Sequence, residues 1–223
     1  MNNSTRLPFT DRIQAGRVLA EHLAHLQGRE DLLVLALPRG GVAVAFEVAC
    51  ALHAALDVFI VRKLGHPGHE EYAMGAIASG GVQVMNDQPG FTISARQLQE
   101  VVTRERAELA RREQLYRGPR KPVDAEGRTA VIVDDGLATG ATMRAAVAAI
   151  RRQRPAHLVV AVPVGARETC ELLQREADEV VCAAMPAPFR AVGLWYADFP
   201  QATDEEVRRL LALAARKYAL PAH

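Results

Sequence analysis

Asp134 and Asp135 stand directly after the apolar stretch 129–133 and directly before Gly136, Leu137, Ala138, Thr139, Gly140, Ala141 and Thr142. Two acids at the carboxyl end of a buried strand lie where open α/β sheets bind their ligands. The small residues that follow let backbone N–H groups come close to an anion, and a helix opening there adds its positive end. Thr139 and Thr142 add hydroxyl donors. This chemistry suits a ligand with a phosphate monoester at one end and the hydroxyls of a ribose facing the acids. The glycine spacing is not that of GxxxxGK[ST], no lysine follows, and the GxGxxG of a dinucleotide fold is absent. An Asp-Asp pair alone usually marks a turn or a helix cap. Two acids joined to a Thr-Gly-x-Thr turn after an apolar run make a far more specific pattern.

A second chemical stretch is Pro38, Arg39, Gly40 and Gly41, again after an apolar run, 32–37. A guanidinium beside two glycines can grip a diphosphate while backbone amides complete the cradle. Its plain alternative is a glycine turn with a surface arginine. Arg62 and Lys63 form a basic pair before the irregular segment 64–71, which has glycine, proline and histidine without periodicity and reads as a loop. A solvated strand end is the competing reading of that pair. His66 and His69 have no acid or thiol arranged with them, so they read as loop histidines rather than metal ligands. Residues 189–199 concentrate aromatics in a chain that holds only 5% of them overall. There Trp195 and Tyr196 could stack on a flat heterocycle while Asp198 reads its edge; a minor hydrophobic cluster under a loop is the alternative.

These stretches need a scaffold that brings strand ends together. The apolar runs 32–37, 57–62, 129–133, 158–164 and 179–183 read as strands, and helical patterns at 9–26, 42–55, up to 154 and 167–176 alternate with them. That alternation calls for a right-handed, doubly wound, mostly parallel sheet. Residues 73–85 alternate around Gly80 and Gly81 as a hairpin. Ser94 with Gln97, and Thr203 with Glu206, resemble capping boxes opening a long charged helix to about residue 117 and a terminal helix. The chain reads as a single domain over 1–223, with a flexible loop and hairpin at 63–90. The aromatic segment 185–201 and its N-terminal partner form a small hood.

Composition narrows the function. With 27 basic and 26 acidic residues, the net charge is +1, which gives no bulk attraction to nucleic acid. The basic stretch 106–121 is interleaved with Glu105, Glu108 and Glu113 and reads as a solvated helix face. No apolar run reaches the roughly 18–20 residues that cross a bilayer. Cys50, Cys170 and Cys182 lie far apart with no CxxC, which favours separate buried thiols and a cytoplasmic protein without a secretion signal. Small-molecule substrates are expected, rather than nucleic acid or a membrane.

Residues 130–142 resemble the signature of type I phosphoribosyltransferases, departing at Gly136, where that signature carries an aliphatic residue. The resemblance implies that Asp134 and Asp135 hold the ribose 2′- and 3′-hydroxyls of 5-phosphoribosyl 1-pyrophosphate (PRPP). It implies that Gly136 and the residues from Ala138 to Thr142 (Thr139, Gly140 and Ala141 between them) wrap the 5′-phosphate. Arg39, Gly40 and Gly41 then resemble the pyrophosphate loop, with a cis Pro38–Arg39 peptide, and Arg62 and Lys63 sit at the base of a lid that touches pyrophosphate. The stretch 192–199 is similar to the hood of the 6-oxopurine transferases, with one extra residue before Asp198. Ala138 in the phosphate loop, and Arg62-Lys63 with Glu71-Tyr72 in the lid, look instead like adenine transferases. The chain as a whole resembles bacterial members whose base is not settled. A purine-like base, Mg²⁺ carried by the substrate with no direct protein ligand, Glu71 as proton acceptor and a homodimer complete what the resemblance implies. A non-catalytic PRPP-binding regulator, and a hydrolase or phosphatase acting on a related nucleotide, are the competing functions.

Overall fold

The computed structural model describes residues 6–85 and 93–217, with the side chains of 70–73 outside the described set. In chain order its elements are α1 (Arg12–His22), β1 (Leu32–Ala36), α2 (Gly41–Leu52), β2 (Ala55–Val58), β3 (Val61–His66), β4 (His69–Ala78), β5 (Val82–Met85) and α3 (Ala95–Arg117). Then follow β6 (Thr129–Val133), α4 (Ala141–Arg151), β7 (His157–Val164), α5 (Arg167–Leu173), β8 (Glu179–Ala184) and α6 (Asp204–Lys217). Five strands form one parallel sheet in the order β2-β1-β6-β7-β8, and β3, β4 and β5 form a separate antiparallel sheet.

Strand residues alternate between two cores because side chains in a strand point to opposite faces. Leu32, Val34, Ala36, Val131 and Val133 pack with α1, α2, α3 and α6; Leu33, Leu35, Ala130 and Ile132 pack with α4 and α5. Every residue of β1 and β6 is buried, as a sheet covered on both faces requires. The register sets Ala36 beside Val133. The two loops that leave these strands, 37–40 and 134–140, therefore begin side by side at the same edge.

Three expectations are corrected. The run 57–62 is not one strand: Phe59 still donates to Ala36 O, but Ile60 exchanges hydrogen bonds with Ser79, so the chain leaves the parallel sheet there and enters the hairpin. The segment 64–71 is not a loop, because Gly68 at φ +84° closes a tight turn between β3 and β4. The hairpin around Gly80 and Gly81 stands as read, with φ +79° and +76°; residues 86–90 of the expected flexible region lie outside the described residues. Finally, Cys170 and Cys182 are not separate thiols. They are joined as a disulfide, because α5 packs on β8 and sets their Cα atoms 6.8 Å apart, within bridging range.

The long helix α3 opens on the capping box formed by Ser94 and Gln97. Its basic face is only partly solvated. Arg111 and Arg112 pair with Glu108 on the surface, but Arg117 is buried against Asp57 of β2. Among the described residues no helix is long and apolar enough to cross a membrane.

The hood is a small cluster of its own: Phe9, Ala15, Val164 and Tyr196 are buried together, with Phe189, Val192, Trp195 and Phe199 packed against them. Main-chain bonds from Phe9 to Trp195 O, Ala197 to Phe9 O and Asp198 to Thr10 O tie the N-terminal segment to the aromatic one. Asp11 then caps α1 by accepting from Gln14 N–H at 2.7 Å, which fixes where Arg12 leaves the helix.

Candidate active site

The carboxylates sit in the first turn after β6. Asp134 Oδ1 accepts the Asp135 N–H at 2.8 Å, and the Tyr196 hydroxyl donates to the Asp135 carbonyl at 2.5 Å. Both acids lie above the usual carboxylate range. For Asp134 the main cause is burial, followed by the charge of Asp135; for Asp135 it is burial, opposed by the hydrogen bond from Arg12.

Beyond the acids the chain bends. Leu137 is anchored on both sides, donating to Val164 O and accepting from Ala166 N–H. The Thr169 hydroxyl donates to Ala138 O at 2.6 Å. Gly140 adopts φ +73° and begins α4, whose first closed turn is Arg144 N–H to Gly140 O. A Cβ at 140 would meet the Thr169 methyl at 2.5 Å, so both conformation and space require glycine. Among the described residues, none of the amides from Ala138 to Thr142 donates to a protein acceptor. Thr139, Ala141 and Thr142 are exposed. A row of N–H groups without protein acceptors at a helix N-terminus can hold an anion.

The second motif lies against the first. Pro38–Arg39 is a cis peptide, as expected. A Cβ at Gly40 would overlap the Asp135 carboxylate, and one at Gly41 would stand 2.7 Å from Val133 O and 2.9 Å from Asp134 Cα. The two glycines therefore serve the close approach of two loops. Arg39 is 39% exposed and 3.9 Å from Asp204 Oδ1, which also accepts the Tyr116 hydroxyl at 2.6 Å. Burial and that bond push the Tyr116 phenol up to about 12. Gly136 departs from the family signature for a visible reason: a Cβ there would overlap the side chain of Val192 in the hood.

Other expected residues are spread differently. On β3, Arg62 and Lys63 point to opposite faces. Arg62 donates twice to Glu105 Oε2, at 2.9 and 2.6 Å, which fastens the hairpin to α3. Lys63 borders a cavity of about 450 Å³ shared with Ala141 and Arg144 at the start of α4. Glu71 falls within β4, its side chain outside the described residues. Tyr196 is turned into the hood core, packing 4.8 Å from Phe199 and 5.6 Å from Phe9, and so braces the site from below. Trp195 stacks on Phe189, and Asp198 is exposed. The ring and side chain that border the open space beside Asp135 are Phe199 and Val192.

Arg12 has no motif around it in the sequence, yet it is the strongest partner of the acids. Its Nε donates to Asp135 Oδ2 at 2.8 Å, its Nη1 donates to Pro200 O at 2.7 Å, and its guanidinium carbon lies 3.8 Å from the centre of the Phe199 ring. Among the described residues no group of three histidine, cysteine or acidic side chains is placed to hold a metal ion.

The model of the phosphoribosyl transferase domain matches residues 11–194. A Mycobacterium tuberculosis protein whose name assigns it provisionally to the phosphoribosyl transferases is 47% identical over 213 residues, which is 95% of this chain and 48% of its own length. The chain thus spans about half the length of the curated relatives it matches. The crystal structure of TT1426 from Thermus thermophilus is 45% identical with a TM-score of 0.81, over 91% of this chain and 97% of that one. With the domain model matching well over half of it, the chain belongs to the phosphoribosyl transferase family.

Proposed function

We propose that the protein transfers the ribose 5-phosphate of PRPP to a nitrogen base, purine-like in size, and releases pyrophosphate. The observation that carries this reading is the pairing of Asp134 and Asp135 with a row of undonated amides at the start of α4. The two acids accept the ribose 2′- and 3′-hydroxyls. The amides from Ala138 to Thr142, with the hydroxyls of Thr139 and Thr142, hold the 5′-phosphate. Thr169 keeps that bend in shape through Ala138 O. Arg39, with the amides of Gly40 and Gly41, meets the pyrophosphate on C1′, and Lys63 approaches from the hairpin.

The C1′–O bond breaks as the C1′–N bond to the base forms, through an oxocarbenium-like transition state; the electron pair leaves with pyrophosphate and the base loses its proton. Fixed positive groups facing the departing oxygens stabilise that charge, and holding base and sugar together supplies the orientation. Substrate-borne Mg²⁺ would add charge neutralisation at the pyrophosphate. Glu71 is the proposed acceptor of the base's proton. The proposal extends to a homodimer acting on small molecules rather than on nucleic acid or a membrane; light scattering checks the dimer.

Incubation with PRPP, Mg²⁺ and a panel of purine and pyrimidine bases tests the reading. Base-dependent release of pyrophosphate is expected. PRPP binding without release for any base would favour a regulator, and release of inorganic phosphate a hydrolase. Gly40→Ala carries a sharper expectation, since the added methyl group displaces the Asp135 carboxylate. A shift of about 1 Å in a positioning group can cost on the order of 100-fold in rate, so a pyrophosphate-release assay should find kcat/KM for PRPP reduced by about that factor. A kcat/KM within threefold of wild type would contradict the placement of this loop.

A further inference from the structure

The cavity beside Asp135, about 490 Å³, is bordered by Arg12, Arg39, Gly40, Val192, Phe199 and Pro200 among others. If Asp135 holds the ribose 2′-hydroxyl, C1′ lies one bond from the held carbon, and this cavity adjoins whatever C1′ carries. The two sides of the cavity differ in character. Arg39 is half-exposed and belongs to the β1 loop. Arg12 is only 12% exposed and lies in the hood, flat against an aromatic ring, with Val192 nearby. A charged, flexible diphosphate suits the first side. A flat heterocycle suits the second.

Arg12 is also held unusually firmly. Nε is committed to Asp135, Nη1 to Pro200 O, and Phe199 supports the plane. Among the described residues, Nη2 has no protein acceptor. A guanidinium carries donors only and cannot reverse its polarity by losing a proton. Whatever edge faces it must accept.

We propose that Arg12 is the specificity-determining residue of the base site and selects a heterocycle that turns a carbonyl or carboxylate oxygen toward it, against the analogue with an amino group there. This rests on the ribose 5-phosphate reading of Asp134, Asp135 and the α4 bend, and it names the class of base. An amino group in that place sets donor against donor, leaving a buried polar group unsatisfied at about 1–3 kcal/mol. That corresponds to roughly 5- to 150-fold in affinity.

Calorimetric titration with nucleoside 5′-monophosphates tests this without requiring turnover. Two matched pairs differ by oxo against amino: inosine with adenosine monophosphate, and uridine with cytidine monophosphate. Ribose 5-phosphate, which has no base, serves as the reference. In the tighter-binding pair the oxo form should be favoured at least tenfold. In Arg12→Gln, whose amide can donate or accept, that ratio should fall below threefold, whatever happens to ribose 5-phosphate through the Asp135 contact, since both members of a pair share that loss. Phe199→Leu leaves the Arg12–Asp135 pair in place and should lower the ratio to between these values. Equal binding of both members by the wild type, preference for the amino form, or an unchanged ratio in Arg12→Gln would overturn the proposal. A selective loss of PRPP over ribose 5-phosphate in Arg12→Gln, with the base ratio intact, would assign Arg12 to the pyrophosphate instead. Failure of ribose 5-phosphate itself to bind the wild type would overturn the underlying site.

Discussion

Replacing both Asp134 and Asp135 by asparagine is expected to weaken PRPP binding by about 10²- to 10⁴-fold, because each acid gives up a charge-assisted hydrogen bond that contributes about 1.5–3 kcal/mol. Asp134→Asn alone should lose about 10- to 100-fold and yet make the protein more heat-resistant at neutral pH. The amide oxygen of asparagine can still accept the Asp135 N–H, so the turn keeps its bond. What disappears is the cost of a carboxylate whose ionisation is opposed by burial and by the neighbouring charge. An acid raised in the folded state binds more protons there than in the unfolded chain, so stability falls as pH rises from its unfolded value toward its folded one. The advantage of Asp134→Asn over wild type should therefore grow from about pH 4 upward, as calorimetric melting at a series of pH values would show. A variant less stable than wild type at pH 7, or a gain that shrinks with rising pH, would mean the carboxylate is stabilised where it stands. A group kept at a cost to folding is a candidate for ligand binding.

Arg117→Met should be the most destabilising single change away from the site. Arg117 and Asp57 are almost wholly buried; Arg117 Nε reaches both Asp57 oxygens at 3.0 and 2.9 Å, and its Nη2 donates to Val58 O at 2.7 Å. Asp57 also accepts the N–H of Val58 and of Val123. Removing the arginine strands a buried carboxylate, which costs about 3–5 kcal/mol. In a chain of this size that lowers Tm by roughly 6–20 °C. The pair joins the end of α3 to the edge strand β2, so the loss should loosen α3, and with it the hairpin held by Arg62 and Glu105. A drop of less than about 3 °C on differential scanning calorimetry would show that the pair is better solvated than its burial indicates. Asp57→Asn with Arg117→Met should recover part of the loss, because the pair is then neutralised rather than broken.

Much of the site is legible because its chemistry is contiguous. The stretch from Asp134 to Thr142 carries its acids, its bend and its helix start within nine residues, and Pro38 to Gly41 stands in the same relation to its own strand. The parallel sheet follows from uninterrupted apolar runs separated by helices. What the sequence hides lies where the informative neighbour is distant along the chain. Arg12 meets its carboxylate 123 residues away, and nothing local marks it beyond the aspartate before it. Thr169 and Phe199 acquire their roles only when α5 and the hood fold onto the bend. The charged run 106–121 hides Arg117 because a buried ion pair and a solvated face share one composition. The segment 64–71 reads as a loop because Pro67 and Gly68 form the turn itself, which leaves too little strand on either side to show alternation. Gly136, an apparent defect in the signature, is explained only by the hood side chain that closes over it.

The most direct measurement is a crystal structure of the protein with PRPP. The account predicts the 5′-phosphate on the amides of Ala138 to Thr142, the 2′- and 3′-hydroxyls within hydrogen-bond distance of Asp134 and Asp135, and the pyrophosphate beside Arg39. A ligand bound elsewhere, or a sugar seated here with its hydroxyls turned away from both acids, would contradict it.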